Sequence, residues 1–328
     1  MTNLKKILAN IVLILFFLVT KNALKAQDVQ FSQLFADKMY LNPAFAGSEY
    51  CPNLMLSHRN QWPTIQFPFL TYSVAYDQYS ELMHGGIGFR LMKDDQGGGV
   101  FSKLNADLIY SNKINLSPNM SLKLALEASV YQQNTNSSGL IFSDMIDPLL
   151  GVVYPNSEVI NNQAIFTPDF SSALLFSYKN YSIGFIASHI PQSLVAEHND
   201  ILPLKFTSHI SAAIPIFQGD LKKTTFILEP NIVYIQQLNA TQLYYGMYFD
   251  INNIAIGMFY RQNLKFHFDA LIASFHFSIK QLKIGYSYDV TLSSFYKQTL
   301  GSHEISFTYL FNCDKKIKNY KTISCPSF

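Results

Sequence analysis

Charge is scarce in this chain. Asp, Glu, Lys and Arg make up 14% of its 328 residues, whereas an ordinary soluble domain carries roughly 25%. The formal net charge is +2, which leaves no electrostatic case for nucleic-acid binding. Beyond residue 26 no apolar run approaches the roughly 20 residues of a membrane-spanning helix. Cysteine is rare and odd in number, with Cys51, Cys313 and Cys325. Cys313 and Cys325 share the C-terminal tail and form a candidate disulfide, with free or mispaired thiols equally open. Catalytic patterns are missing as well. The histidines are scattered without HExxH spacing, and neither G-x-S-x-G nor a phosphate-binding Walker element occurs. Gly97-Gly98-Gly99 reads as a loop. No enzyme activity, cofactor or metal is expected.

The first residues have the layout of a secretory signal peptide. Lys5 and Lys6 precede an apolar stretch from Ile7 to Val19, and Ala26 is a suitable small residue before a mature start at Gln27. Cleavage and export are therefore expected.

What the chain does have is aromatic residues, 27 Phe and 20 Tyr, in a sequence whose mean hydropathy is only +0.09. Apolar and polar residues must be interleaved, and they are, with period two. Leu122, Leu124, Leu126, Ala128 and Val130 alternate with Ser121, Lys123, Ala125, Glu127 and Ser129. Leu282, Ile284, Tyr286, Tyr288 and Val290 repeat the pattern near the end, as do Ile305, Phe307, Tyr309 and Phe311. Such segments number roughly fourteen, each about ten residues long, the length of a tilted strand crossing a bilayer. The expected spans are 53–60, 69–78, 85–93, 101–112, 120–132, 170–178, 181–190, 204–214, 224–237, 240–250, 253–262, 265–277, 280–291 and 301–311. With both termini in the periplasm, short turns fall on one side and the long connections on the other, 238–239 excepted. That asymmetry, with Tyr76, Tyr79, Tyr178, Tyr181, Tyr244, Tyr245, Tyr248, Tyr286 and Tyr288 near strand ends as interfacial girdles, favours an outer-membrane barrel over a soluble sandwich.

The fold class is therefore all-β, a transmembrane antiparallel β-barrel integral to the outer membrane. The expected division is a signal peptide at 1–26, an N-terminal periplasmic or plug-like segment at 27–52, the barrel at 53–311 and a periplasmic tail at 312–328. Asp107, Glu127, Glu229, Asp269, Asp289 and Glu304 belong to inward faces or strand ends, with Arg90, Lys103, Lys123, Arg261 and Lys283 as partners that fill and hydrate the lumen. Phe31, Leu34, Phe35, Met39, Tyr40 and Phe45 form an apolar N-terminal stretch that needs burial. It either folds into the barrel as a plug or bracket, or packs on the rim. Asn42-Pro43 ends any helix there, and Gly47 permits the turn into the first strand.

Three short elements then stand out: Gln27-Asp-Val-Gln-Phe31-Ser32-Gln33, Tyr40-Leu-Asn42-Pro43-Ala44-Phe-Ala-Gly47, and Arg59-Asn-Gln61-Trp62. Together they resemble the opening of the PorP/SprF family, outer-membrane proteins of the Bacteroidetes type IX secretion and gliding system, with Val29 where that family usually has Pro. Asp147-Pro148, Pro168-Asp169-Phe170 and Glu229-Pro230-Asn231 add weaker matches. The resemblance implies a non-enzymatic barrel that assists export or surface attachment of a specific cargo, such as a gliding adhesin with a type B C-terminal domain. It implies outer-membrane lipid, the secreted adhesin or its C-terminal domain, and periplasmic secretion or gliding components as partners. Phe31, Ser32, Gln33, Tyr40, Asn42, Pro43, Ala44, Gly47, Arg59, Gln61 and Trp62 become candidate partner or motif residues. A small-solute diffusion porin is the alternative.

Overall fold

The computed structural model describes residues 28–136, 145–147, 149–153, 164–191, 202–218, 225–292 and 296–313. The expected signal peptide, Cys325 and most of the tail lie outside them. Among the described residues, fourteen antiparallel strands close into one barrel. In chain order they are β1 (Asn53–Gln61), β2 (Phe69–Ser80), β3 (Gly85–Gln96), β4 (Phe101–Ser117), β5 (Met120–Thr135), β6 (Ile165–Tyr178) and β7 (Tyr181–Ser188). There follow β8 (Lys205–Ala212, resuming as Ile214–Gln218), β9 (Thr225–Gln237), β10 (Ala240–Ile251), β11 (Ile254–Gln262), β12 (Phe268–Ile279), β13 (Leu282–Thr291) and β14 (Ser302–Leu310). Each pairs with its sequence neighbour, and β1 pairs with β14 from Asn53 opposite Leu310 to Gln61 opposite Ser302. No edge is left open, as hydrocarbon surroundings demand.

Every expected strand is present, and several run further than the alternation suggested. β6 begins at Ile165 rather than near 170, and β4 reaches Ser117. Ladder pairing with a neighbour carries a strand past the point where its own side chains stop alternating.

The barrel is the inverse of a water-soluble protein. Leu108 and Leu126 are 64% and 68% exposed, while Asp107 and Glu127 beside them are 0% and 6% exposed. Phe170, Phe185, Ile210, Ile256 and Met258 continue the apolar exterior. An outward apolar band over a polar interior is the signature of a lipid-facing barrel. Two expected girdle residues depart from the pattern. Tyr244 and Tyr248 face inward and are buried, whereas Tyr245 stacks on Tyr260 with ring centroids 5.8 Å apart. Period two places 244 and 248 on the face opposite 245, and the interior holds apolar matter for them to pack on.

The disulfide also differs from expectation. Cys313 bonds Cys51, not Cys325, across a sequence separation of 262. Cys51 precedes β1 and Cys313 follows β14, so the antiparallel register of the closing pair brings them together at one rim. Proximity in the sequence was a misleading guide, because barrel closure sets its two ends side by side.

Connections 118–119, 179–180, 252–253 and 280–281 are tight and share one rim. The opposite rim, the mouth, carries 136–164, 189–204 and 292–301 together with the tight 238–239. Residues 28–48 do not hang from the short-turn rim. They run through the barrel, from Asp28 beside His189, Lys205 and Gln237 at the mouth to Gly47 beside Asp77 at the other end.

Candidate functional site

The inner segment is built from short, capped pieces. Asp37 accepts a hydrogen bond from the Tyr40 backbone N–H (3.1 Å) and starts a single helical turn, Lys38–Leu41. Asn42 does the same for Ala44 (2.9 Å) and opens a 3-10 turn, Pro43–Phe45, with Pro at its first position, where its missing N–H costs nothing. Phe31, Leu34, Phe35, Leu41, Ala44 and Phe45 are buried against Ala125, Leu175, Ile186, Val233, Tyr244 and Tyr248 from the strands. Burial of one such large side chain is worth about 1.5–3 kcal/mol. Phe31 meets Tyr40 edge-on at 4.9 Å, and Phe35 meets Tyr248 at 6.3 Å. Tyr40 donates its hydroxyl to the Val29 carbonyl, and its ring lies under Arg90 and Lys205 at 5.3 and 5.4 Å.

At the seam, Arg59 on β1 is 1% exposed and bridges Asp289 on β13 (2.9 Å) and Glu304 on β14 (3.1 Å). Glu304 is its direct cross-strand partner. The Ser32 and Gln33 backbone N–H groups donate to the Glu304 carboxylate at 2.7 and 3.1 Å. The Ser32 hydroxyl donates to Asp289 (2.6 Å), and Ser306 donates to the Gln33 side chain (2.6 Å). Arg261 extends the chain to Asp289 (3.1 Å) and on to Asp269. A second cluster joins Arg90 to Asp107 (2.5 Å) and Glu127 (3.6 Å).

At the short-turn end the Gly47 N–H donates to Asp77 (2.7 Å), while Ser111 and Lys123 donate to the Ala46 carbonyl at 2.6 and 2.7 Å. Gly47 has φ +59°, and a Cβ on it would lie 2.4 Å from the Gly86 Cα. Backbone passes against backbone here, which only two glycines allow. Above the segment, the mouth holds a cavity of about 630 Å³ whose lining includes Gln61 and Trp62.

Residues 23–309 match the family described as "Type IX secretion system membrane protein PorP/SprF". The chain belongs to this family. No curated protein matches it. Among solved structures it is similar to a "CymD monoaromatic hydrocarbon channel", at 14% identity and TM-score 0.49 over 85% of this chain and 94% of that one. It is also similar to Omp33 of Acinetobacter baumannii, at 8% identity and TM-score 0.46 over 81% and 100%.

In this PorP/SprF protein the three sequence elements do not form one site. Ser32 meets Arg59 at the seam and Gln33 meets Glu304, while Phe31 packs edge-on against Tyr40. Tyr40, Asn42, Pro43, Ala44 and Gly47 shape the middle and exit of the inner segment, where Asn42 also donates to the Leu174 carbonyl (3.3 Å). Gln61 and Trp62 stand apart at the mouth. Asp289 and Glu304 were legible as inward acids, and Arg261 does pair with Asp289. Their principal cation is nevertheless Arg59, and Lys123 donates to the Ala46 carbonyl and the Ser48 hydroxyl.

A clamp at the mouth joins Asp28 and Asp169, each in a quoted sequence element, to His189 and Lys205, which sequence reasoning had not singled out. His189, just past β7, directs Nδ1 at Asp169 (2.7 Å) and Nε2 at Asp28 (2.9 Å), and Lys205 donates to Asp28 (2.8 Å). A ring with a carboxylate on each nitrogen donates from both and is cationic. Burial opposes that charge, but Asp28 first and then Asp169 raise the imidazole from 6.5 to about 9. Burial likewise opposes ionisation of Asp28, yet Lys205 and His189 hold it well below 3.8. The His189 contribution is thus complete below about pH 6.5 and is lost as pH rises through about 9. The Asp28 contribution is complete above 3.8 and is lost in acid. Raising the pH from about 6 to about 10 is expected to loosen the start of the inner segment by on the order of 3 kcal/mol. Hydrogen exchange over residues 28–36 reads this directly. Unchanged protection across that range would refute the clamp.

Proposed function

We propose that this PorP/SprF protein is a plugged outer-membrane partner in type IX secretion. It assists export or surface attachment of a specific cargo, such as an adhesin with a type B C-terminal domain, rather than conducting small solutes. The observation that carries this reading is the occupied lumen. Residues 28–48 traverse the barrel and are fastened at the mouth, the seam and the exit. A diffusion porin needs a continuous aqueous lumen, and the hydrogen-bonded inner segment stands in its way. On this reading most motif residues hold the plug, and cargo or its C-terminal domain meets the mouth, where Gln61 and Trp62 lie. The periplasmic secretion or gliding components meet the short-turn rim.

Two measurements test it. In planar bilayers the intact protein is expected to remain closed, and a variant lacking residues 28–47 to conduct. In native membranes the intact protein is expected to co-purify with a large secreted protein. Steady conductance by the intact barrel, or normal cargo export by the deletion variant, would sink the proposal.

A further inference from the structure

The mouth cavity shares Asp28 and Arg261 with the contacts that fasten the inner segment, and it is also built like a ligand site. Its volume of about 630 Å³ falls within the roughly 300–1,000 Å³ of small-ligand pockets. Trp62 is the single tryptophan of the chain. It has φ +60°, a conformation unusual for a bulky side chain. Its backbone N–H donates to the Gly301 carbonyl (3.0 Å), and Phe69 braces its ring edge-on at 5.4 Å. Backbone held in such a conformation at a cavity wall is characteristic of binding sites.

Elsewhere in the lining the pairing of β11 with β12 slips between Arg261 and Gln262, with Asp269 on β12 as the extra residue. Beside that extra residue, Arg261 and Gln262 are consecutive on β11 and both are buried. Bulges re-aim side chains beside functional sites. Gln262 is 6% exposed, and its Oε1, itself buried, has no hydrogen-bond partner among the described residues. Asp94, 3% exposed, accepts from Thr71 (2.7 Å) and Gln96 (2.6 Å) and has no cationic partner among the described residues. Its carboxylate retains acceptor capacity. The other lining acids are already matched, Asp28 by Lys205 and His189 and Asp269 by Arg261. With Arg261 and Lys265 also in the lining, the cavity offers no strong net charge. Its lining brings together the Asp94 acceptor, neutral amides and an indole.

We propose that this cavity binds a neutral saccharide. A pyranose brings hydroxyl edges for Asp94 and Gln262 and an apolar C–H face for the Trp62 indole. The cavity lies in the mouth that the secretion reading gives to cargo, and its test uses purified full-length protein in detergent without cargo, so the two readings fail separately.

The single tryptophan makes the experiment direct. Intrinsic fluorescence is followed during titration with maltotriose, cellotriose, mannotriose and tri-N-acetylchitotriose, and in a second arm with a neutral glycolipid in mixed micelles. A neutral tetrapeptide rich in Asn and Gln serves as the comparison. The expected result is a saturable change with at least one sugar, weakened tenfold or more in Asp94→Asn and in Gln262→Ala. Heat-modifiable migration confirms that each variant is folded. Should either fail to fold, Gln61→Ala takes its place. A response to the trisaccharides assigns free glycan, and one confined to the micelles assigns lipid-borne glycan. Silence in both arms, an equal response to the peptide, or undiminished affinity in the folded variants overturns the proposal.

Discussion

Replacing Arg59 with methionine is expected to destabilise the folded barrel by about 3–5 kcal/mol and to release the inner segment. The guanidinium is 1% exposed and serves two carboxylates at 2.9 and 3.1 Å. Removing it strands Glu304 with only the Ser32 and Gln33 N–H groups, while Asp289 retains Arg261 and Ser32. A buried charge left without its counter-ion costs more than the pair contributed. Arg59→Lys is expected to fall between, because one ammonium cannot span two acids as a planar fork does. The midpoint of heat-modifiable migration reads the stability, and protease cleavage within residues 28–48 reads the release. Adding Glu304→Gln to Arg59→Met is expected to recover part of the loss. If the double variant is as unstable as the sum of the single ones, the charge account fails.

Gly86→Val is the second large effect. A Cβ at this position would lie 2.0 Å from the Ala46 carbonyl oxygen and 2.7 Å from the Ser111 hydroxyl. The nearest obstacle is backbone held by Ser111 and Lys123, so no side-chain rotation relieves it. Overpacking of ordinary cores costs about 1–3 kcal/mol, and a clash with fixed backbone belongs at the upper end. The exit of the inner segment is expected to detach while the strands persist. This appears as new protease sensitivity around residues 40–50, with the circular-dichroism signature of the barrel retained. Gly86→Val migrating and resisting protease as the unaltered protein does would contradict the close approach.

The strands were legible because lipid and lumen impose opposite demands on alternate side chains, and that demand is written locally. Leu122 to Val130 shows it without reference to any other part of the chain. Inward acids such as Asp289 and Glu304 were legible by the same parity. What the parity does not encode is partnership. Arg59 and Glu304 are brought opposite each other only by barrel closure, as are Cys51 and Cys313. Tyr244 and Tyr248 look like interfacial aromatics until the apolar inner segment supplies something for them to cover. The path of residues 28–48 was hidden for another reason. Its apolar content calls for burial but carries no direction, and hydrogen bonds to His189 at one end and Asp77 at the other set the direction.

Glu304 lies on β14, the strand that closes the barrel, and its partners Ser32 and Arg59 lie on the first stretch of the described chain. The nascent polypeptide therefore carries an unfinished lock through most of its synthesis. A copy truncated before β14 has no carboxylate for the Ser32 and Gln33 amides and no counter-ion opposite Arg59. The bolt engages only once β14 is in place, which gives assembly a built-in check on barrel closure.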